Sequence, residues 1–439
     1  MLAIAFATAA FQLAPVQIGD ATHSATKPKP LCTDAVGKGA PVNCGMQELG
    51  LGAPGTTYIV DSHGGGDFLD LPPAIAASQA GDVLLVMPGN YSKFTLSKGL
   101  TVIGSGLAKV TGPMTIAGVP SEELAAVVGL ECDHPWRIDA CAGPILVQDA
   151  YGARDIRVDQ CADVRFRALK MLATFASGLD GVLARGSRIE LVDSFAGGNS
   201  LDVPGTAGAG IAAESNSRIH AVNTRVAGAF GGMVNNPNWW APDGGCGVFV
   251  EAGSEVIAIG PTTWVSGGSG GWNMYYEECD QDGAGAVGVN GQGVFAYSQV
   301  DVTGGWSSAF QCTLGGSMPP FGSQVAAVAV SPRDPELVAF GAPNAGSTLL
   351  VEVVGEPGAS VVLWLGRKLV RTPTPGVVIE QLVSHDFAVP LGTLDANGKA
   401  AKFLTLDAGL TAGLVFGMQA EVTAASVLQR TNSVPVVVR

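Results

Sequence analysis

Short apolar runs punctuated by glycine recur along the middle of the chain. Gly181 opens GVLARGSRIELVDSFAGG, Gly210 opens GIAAESNSRIHAVNTRVAGAFGG, Gly247 opens GVFVEAGSEVIAIGPTTWVSGG and Gly293 opens GVFAYSQVDVTGG. A weaker copy, DIRVDQCADVRFRA, starts at Asp155. Each unit reads as glycine, a short apolar strand, a turn with serine, a second alternating strand and a closing Gly-Gly. So short a strand cannot bury its apolar face alone. Stacked on the same strand of the next unit, it gains ladder hydrogen bonds and a shared interior. The opening glycines lie 29, 37 and 46 residues apart, which fits coils whose insertions loop out at one corner. The pattern predicts a parallel β-helix. A Greek-key sandwich is the competing arrangement, but it predicts more even strand spacing.

Flanking segments have other textures. Residues 20–56 are rich in Thr, Lys, Pro and Gly and read as an irregular arm. Tyr58–Val60 reads as a strand, Gly64–Phe68 as a turn, and Leu69–Ser78 as holding a short helix with Ile75 and Ala76 on its apolar face. Asp82–Met87 reads as a buried strand, Pro88–Tyr91 as a turn, and Thr95–Leu96, Leu100–Ile103 and Met114–Ile116 as further strands. Past the Gly/Pro linker Thr313–Ser323 the glycine corners disappear. Seven strands are expected there: Leu337–Phe340, Leu349–Val354, Val361–Leu365, Val377–Ile379, Phe387–Val389, Phe403–Leu406 and Gln419–Val422, with a turn at Asp395–Gly398. That length and texture suit a small β-sandwich. The expected organisation is an apolar segment and arm over 1–56, a solenoid over 57–322 and a sandwich over 323–439.

Composition agrees. Of 439 residues, 61 are Gly, 47% are hydrophobic and 14% charged, with mean hydropathy +0.31. A disordered chain shows the reverse balance. The net charge is −14 with scattered cations, so no basic stripe exists for nucleic acid. The first ten residues, MLAIAFATAA, have the apolar core and small-residue end of a signal sequence, but no Lys or Arg comes before Lys27. They are too short to span a bilayer. Two readings stand: a signal sequence, or a retained apolar strand that a neighbouring subunit covers by strand addition.

Eight cysteines occur, at 32, 44, 132, 141, 161, 246, 279 and 312, with no CxxC. The close pairs Cys32/Cys44 and Cys132/Cys141 suit disulfides and an oxidising, extracellular or cell-surface setting; unpaired buried thiols are the alternative. Glu277, Glu278, Asp280 and Asp282 crowd one segment, where a Ca²⁺ site, a solvated loop or an acid/base pair are the options; no calcium-motif spacing is followed. Trp239, Trp240, Trp264, Trp272 and Trp306, with Tyr275 and Tyr276, cluster in the insertions. Such rings suit glycan stacking or a protein interface, or cap their own loops.

The segment DSHGGGDFLDLPPAIAASQAGDVLLVMPGNYSKFTLSKGLTVIGS (61–105) resembles the opening of pectin methylesterase-type members of the pectin-lyase-like superfamily. Its Gly66–Phe68 turn, Ala74–Ala77 helix, Leu84–Met87 strand, Pro88–Tyr91 turn and Leu100–Gly104 strand carry the likeness. The resemblance implies a right-handed parallel β-helix with a helical cap, and, for the esterases, two aspartates and an arginine on one face, helped by glutamines. Gln148–Asp149 is similar to the Gln-Asp motif, Asp163 is the candidate second aspartate, and Arg165 and Arg167 are the nearby cations. The Asp-Phe-x-Phe-Gly and Gly-Arg-Pro-Trp elements are absent, as are the motifs of the fold's hydrolases. The expected fold class is thus all-β, a right-handed parallel β-helix followed by a β-sandwich. The expected function is a non-enzymatic extracellular structural protein that self-associates and needs no cofactor. The alternatives are an esterase or lyase on acidic polysaccharide, and a glycan-binding adhesin.

Overall fold

In the computed structural model, the structure describes residues 55–172, 177–236, 238–273, 283–306, 318–329, 335–374, 377 and 379–439. Parallel strands stack into three sheets that share one interior. A long sheet of twelve strands starts at Thr57–Val60, passes through Ile145–Gln148, Val164–Arg167, Arg188–Val192, Arg218–Val222 and Glu255–Ile259, and ends at Ala326–Ala329. A second sheet of eight runs from Phe94–Leu96 to Val289–Gly291, and a shorter one of four from Phe195–Gly197 to Asp301–Thr303. This is the expected parallel β-helix. Because Ala326–Ala329 still pairs in register with Val294–Tyr297, the solenoid passes residue 322.

Register explains the burial. Val164, Ile189, Ile219, Val256 and Phe295 lie in one column and point inward, as do Val147, Phe166 and Leu191. The residues between them point outward, yet Leu146, Arg165, Glu190, His220 and Ile257 are also buried. Strands covered on both faces lose the simple alternation of a half-buried strand and read as near-continuous apolar runs. That is the texture of ILVQ, RIELV and RIHAV.

At the N-terminal end, the helix Leu71–Ala77 covers the first coil. The Asp70 side chain caps it, accepting from Leu71 N at 2.8 Å, and prolines occupy its first turn, where no N–H is missed. Its buried face is Leu71, Ala74 and Ile75; Ala76, expected inside, is exposed. Part of the expected Pro88–Tyr91 turn is a short strand, Gly89–Tyr91, on the long sheet.

The C-terminal unit is antiparallel. One sheet joins Glu336–Phe340, Thr348–Val354 and Lys399–Thr405; the other joins Phe387–Thr393, Ser360–Gly366, Val415–Ala424 and Val427–Val437. Leu349, Val351, Val353, Leu363, Leu365, Phe416, Met418, Val434 and Val436 fill the space between them. Where one strand was expected at Val377–Ile379, a hairpin pairs Leu369–Thr372 with Gln381–Val383. The last strand, Val427–Val437, was not foreseen. It is buried on both faces: Val434 and Val436 enter the sandwich core, while Val437 packs on Ala126, Val128 and Leu146 of the long sheet. The sandwich therefore lies on the outward face of the solenoid.

Candidate functional site

The joint between solenoid and sandwich gathers charged groups. Arg165 projects from the long sheet and is fully buried. Its Nε lies 3.1 Å from both Asp163 oxygens and its Nη2 is 2.6 Å from Oδ2. The same guanidinium donates to Ser433 Oγ (3.1 Å) and to the Val370 carbonyl (2.7 Å) of the sandwich. Arg371 of the sandwich reaches Asp163 Oδ1 at 2.8 Å. One coil on, Glu190 accepts from Ser433 N at 2.8 Å and from Ser433 Oγ at 2.5 Å. Glu380 closes the network with Arg218 at 3.2 Å and with Arg188 and Arg371 at 3.5 Å.

Electrostatics follow from this burial. Desolvation pushes the Asp163 carboxyl up, but Arg165 and Arg371 outweigh it and hold the pKa below the ordinary value. Glu190 is raised by desolvation, which the nearby cations only partly oppose. His220 sits well below its ordinary range, first through burial and then through repulsion by Arg371 and Arg218. Neither of its ring nitrogens has a hydrogen-bond partner among the described residues. The side-chain hydrogen bonds of Asp163 and Arg165 all fall within this joint, and both residues are buried. The pair fastens two units together.

Gln148 and Asp149 lie elsewhere, at the opposite end of their strand. Asp163 stands beside the start of Ile145–Gln148 and Asp149 just after its end, a separation of roughly 15 Å at ~3.3 Å per residue. The two aspartates cannot meet at one bond. Asp149 adopts a left-handed conformation (φ 51°) at a corner repeated by Ala168, Asp193 and Asn223. These corners stack, so the coil next to Asp149 offers Ala168, and the nearest carboxylate in the column, Asp193, is two coils away. Gln148, Asp149, Arg167, Asp193 and Arg439 line a cavity of about 230 Å³ under the sandwich. Arg439 pairs with Asp149, Gln148 Nε2 donates to Asp149 Oδ2 at 3.1 Å, and Arg167 donates to the Pro435 and Ala339 carbonyls. The expected pair, Asp149 with Asp163, is not assembled in this cavity, whose second carboxylate is Asp193, two coils from Asp149.

The aromatic insertions share one corner of successive coils. Leu201 bridges to Gly231, and Met233–Val234 pairs with Trp272–Asn273. Their necks form one ladder of alternately outgoing and returning chain: Ala229 N to Gly208 O, Gly245 N to Ala229 O, Gly268 N to Gly245 O and Ala286 N to Gly268 O, at 2.7–3.0 Å. A Cβ on Gly268 would lie 1.8 Å from the Ala229 carbonyl, so only glycine fits. Beyond this neck, Trp240 and Trp306 are 61% exposed, and Trp239 is exposed beside them. Asn273 holds the tip, donating to the Asn236 and Trp239 carbonyls at 2.9 and 2.7 Å. Trp272 is half-buried, edge-on to Phe230 at 5.4 Å. Trp264 is also exposed, on the short sheet. Tyr275, Tyr276, Glu277, Glu278, Asp280 and Asp282 lie outside the described residues, and so do Cys32 and Cys44. Among the described residues no three His, Cys, Asp or Glu side chains converge as a metal site, and no helix is long and apolar enough to cross a membrane.

Cys132 and Cys141 are not bridged to each other; both thiols are free and buried. They follow successive inner strands but bond differently: Cys132 Sγ faces the Gly112 carbonyl at 3.3 Å, whereas Cys141 Sγ faces Asp139 O at 3.4 Å. Closeness in sequence is a poor guide here, because a solenoid brings together residues one coil apart. The joint residues Glu190, Arg371, Glu380 and Ser433 escaped sequence reasoning. Glu190 and His220 left one signal, a charged or polar residue centred in an otherwise apolar strand. No protein-family profile matches the chain, and no curated protein matches it.

Proposed function

We propose that the protein is a non-enzymatic, extracellular structural protein: a cell-surface, matrix or filament subunit on a pectin-lyase-like scaffold. One observation carries the reading. The long sheet ends on Ala326–Ala329, whose four apolar residues are all exposed and whose outer edge meets no strand among the described residues. An open apolar edge of this kind is a template for another chain's strand. The apolar segment 1–15 supplies a matching donor. The buried state of Asp163 and Arg165 supports a structural role over a catalytic one. Negative-stain microscopy of the purified protein should show ordered assemblies that disappear when residues 1–15 are deleted. Assemblies that survive the deletion, or product release from methylated or acetylated uronans, would count against the reading.

A second reading, glycan binding without catalysis, is favoured by Trp239 and Trp240 alone. Asn273 holds them in place before any ligand arrives, which lowers the ordering cost of binding. On that reading, Trp240→Ala removes a stacking platform and weakens binding in a glycan array at least tenfold, on the order of 1.4 kcal/mol. Equal array signals from both proteins would dismiss it.

A further inference from the structure

Two consecutive coils carry the same hexapeptide pattern, Arg137-Ile-Asp-Ala-Cys-Ala142 and Arg157-Val-Asp-Gln-Cys-Ala162. The structure puts them in register. Trp136 to Asp139 pair one to one with Ile156 to Asp159, and Ala140 and Gln160 turn the same corner at φ 51° and 55°. Ala140 N donates to Asp159 O and Ala162 N to Cys141 O, both at 2.9 Å. Cys141 and Cys161 thus sit one above the other, about 4.8 Å apart at the backbone by the spacing of neighbouring strands. That falls within the Cα separation of about 4.4–6.8 Å that a disulfide needs.

The rungs that follow hold Ser187, Ser217 and Ser254. There each hydroxyl accepts the N–H of the rung before it: Cys161 N to Ser187 Oγ at 3.0 Å, Ser187 N to Ser217 Oγ and Ser217 N to Ser254 Oγ at 3.1 Å. Serine meets the structural need of this corner. Two adjacent rungs nonetheless carry sulfur, and the two thiols sit alike, Cys141 Sγ on the Asp139 carbonyl at 3.4 Å and Cys161 Sγ on the Asp159 carbonyl at 3.3 Å. The geometry points to Cys141 and Cys161 as a redox pair that closes into a disulfide across the two coils.

Chemistry at the corner supports this. The Cys161 thiol and the Val119 and Gly118 N–H groups lower the Cys141 pKa to about 7 against the opposing effect of burial, which raises the thiolate fraction at neutral pH. A groove of about 680 Å³, lined by both cysteines with Gln160 and Arg188, brings solvent to the corner. The oxidant is a low-molecular-weight disulfide. The Cys141 thiolate attacks one of its sulfurs, breaking that S–S bond and releasing one thiolate. Cys161 then loses its proton to water and attacks Cys141 Sγ, which breaks the mixed disulfide and releases the second thiolate. Two protein thiols are oxidised and one small disulfide is reduced.

The test uses the full chain equilibrated with oxidised glutathione, denatured in iodoacetamide without reductant and digested with trypsin. Cleavage after Arg137, Arg154, Arg157 and Arg165 puts Cys132, Cys141 and Cys161 on three separate peptides. The expected product is a 138–154 peptide joined to 158–165, about 2 Da lighter than the sum of its reduced parts. Reduction should also lower the melting temperature of the wild type. That shift should vanish in Cys141→Ser and Cys161→Ser, which keep the hydroxyl chemistry of the ladder. Both thiols recovered alkylated, a bridge from either one to Cys132 or Cys246, or a reduction shift that persists in the serine variants would overturn the assignment.

Discussion

His220 shows what a single side chain contributes at the joint. It is fully buried, faces Arg218, Arg188, Arg371 and Asp163, and leaves both ring nitrogens without a partner among the described residues. Its folded pKa lies well below 6.5, so above pH 6.5 both states are neutral and the residue adds no pH dependence. Below 6.5 the unfolded chain takes up a proton that the folded chain refuses, so stability falls with acidification until the folded pKa is reached. Replacing His220 by Leu removes the titration and two unpaired polar atoms. Chemical denaturation should find the variant at least as stable at pH 7.5. Its advantage over the wild type should then grow by up to about 1.4 kcal/mol per pH unit below 6.5. A constant difference from pH 7.5 to 5 would show that the imidazole titrates freely.

Among elements, the strands divide by what covers them. Arg188–Val192 and Arg218–Val222 face the solenoid interior on one side and the sandwich on the other, where Val192, Val222, Ile257 and Ile259 meet Ile379 and Leu382. The glycine necks follow a different rule. Gly228 and Gly268 stand where backbone meets backbone, and a methyl group on either would lie within 2 Å of a carbonyl oxygen. The repeated Gly-Gly pairs were legible in the sequence as corners. That they hold the bases of the aromatic insertions in one hydrogen-bonded ladder was not, because the insertion lengths differ while the necks coincide.

The described residues form two units that share a buried, charged contact. Breaking that contact from one side leaves an uncompensated charge, which costs more than the pair contributes. Arg165→Ala removes the cation closest to Asp163 and leaves that carboxylate with Arg371 alone. The expected loss of stability is about 3–5 kcal/mol, read as a shift of the denaturation midpoint of the full chain. A shift below ~1 kcal/mol would mean that the joint is solvated and that the sandwich moves freely on the solenoid.

Sequence by itself determined the local architecture. Recurrent short apolar strands with glycine corners specify stacked coils, because each strand must borrow its neighbour's backbone and interior. Asp70, Pro72 and Pro73 specify the capping helix through its first turn, and the loss of glycine corners marks the change to a sandwich. Tertiary structure decided what lies across from what. Coils of unequal length set Cys161 rather than Cys132 on top of Cys141, and Ala168 in the coil next to Asp149. Docking of the sandwich buried Asp163 and Arg165, the candidate second aspartate and its nearby cation, against Arg371 and Ser433, more than 200 residues away. Side-chain chemistry is visible in the chain, but the partner that fixes its role is chosen by long-range packing, for which no local pattern codes.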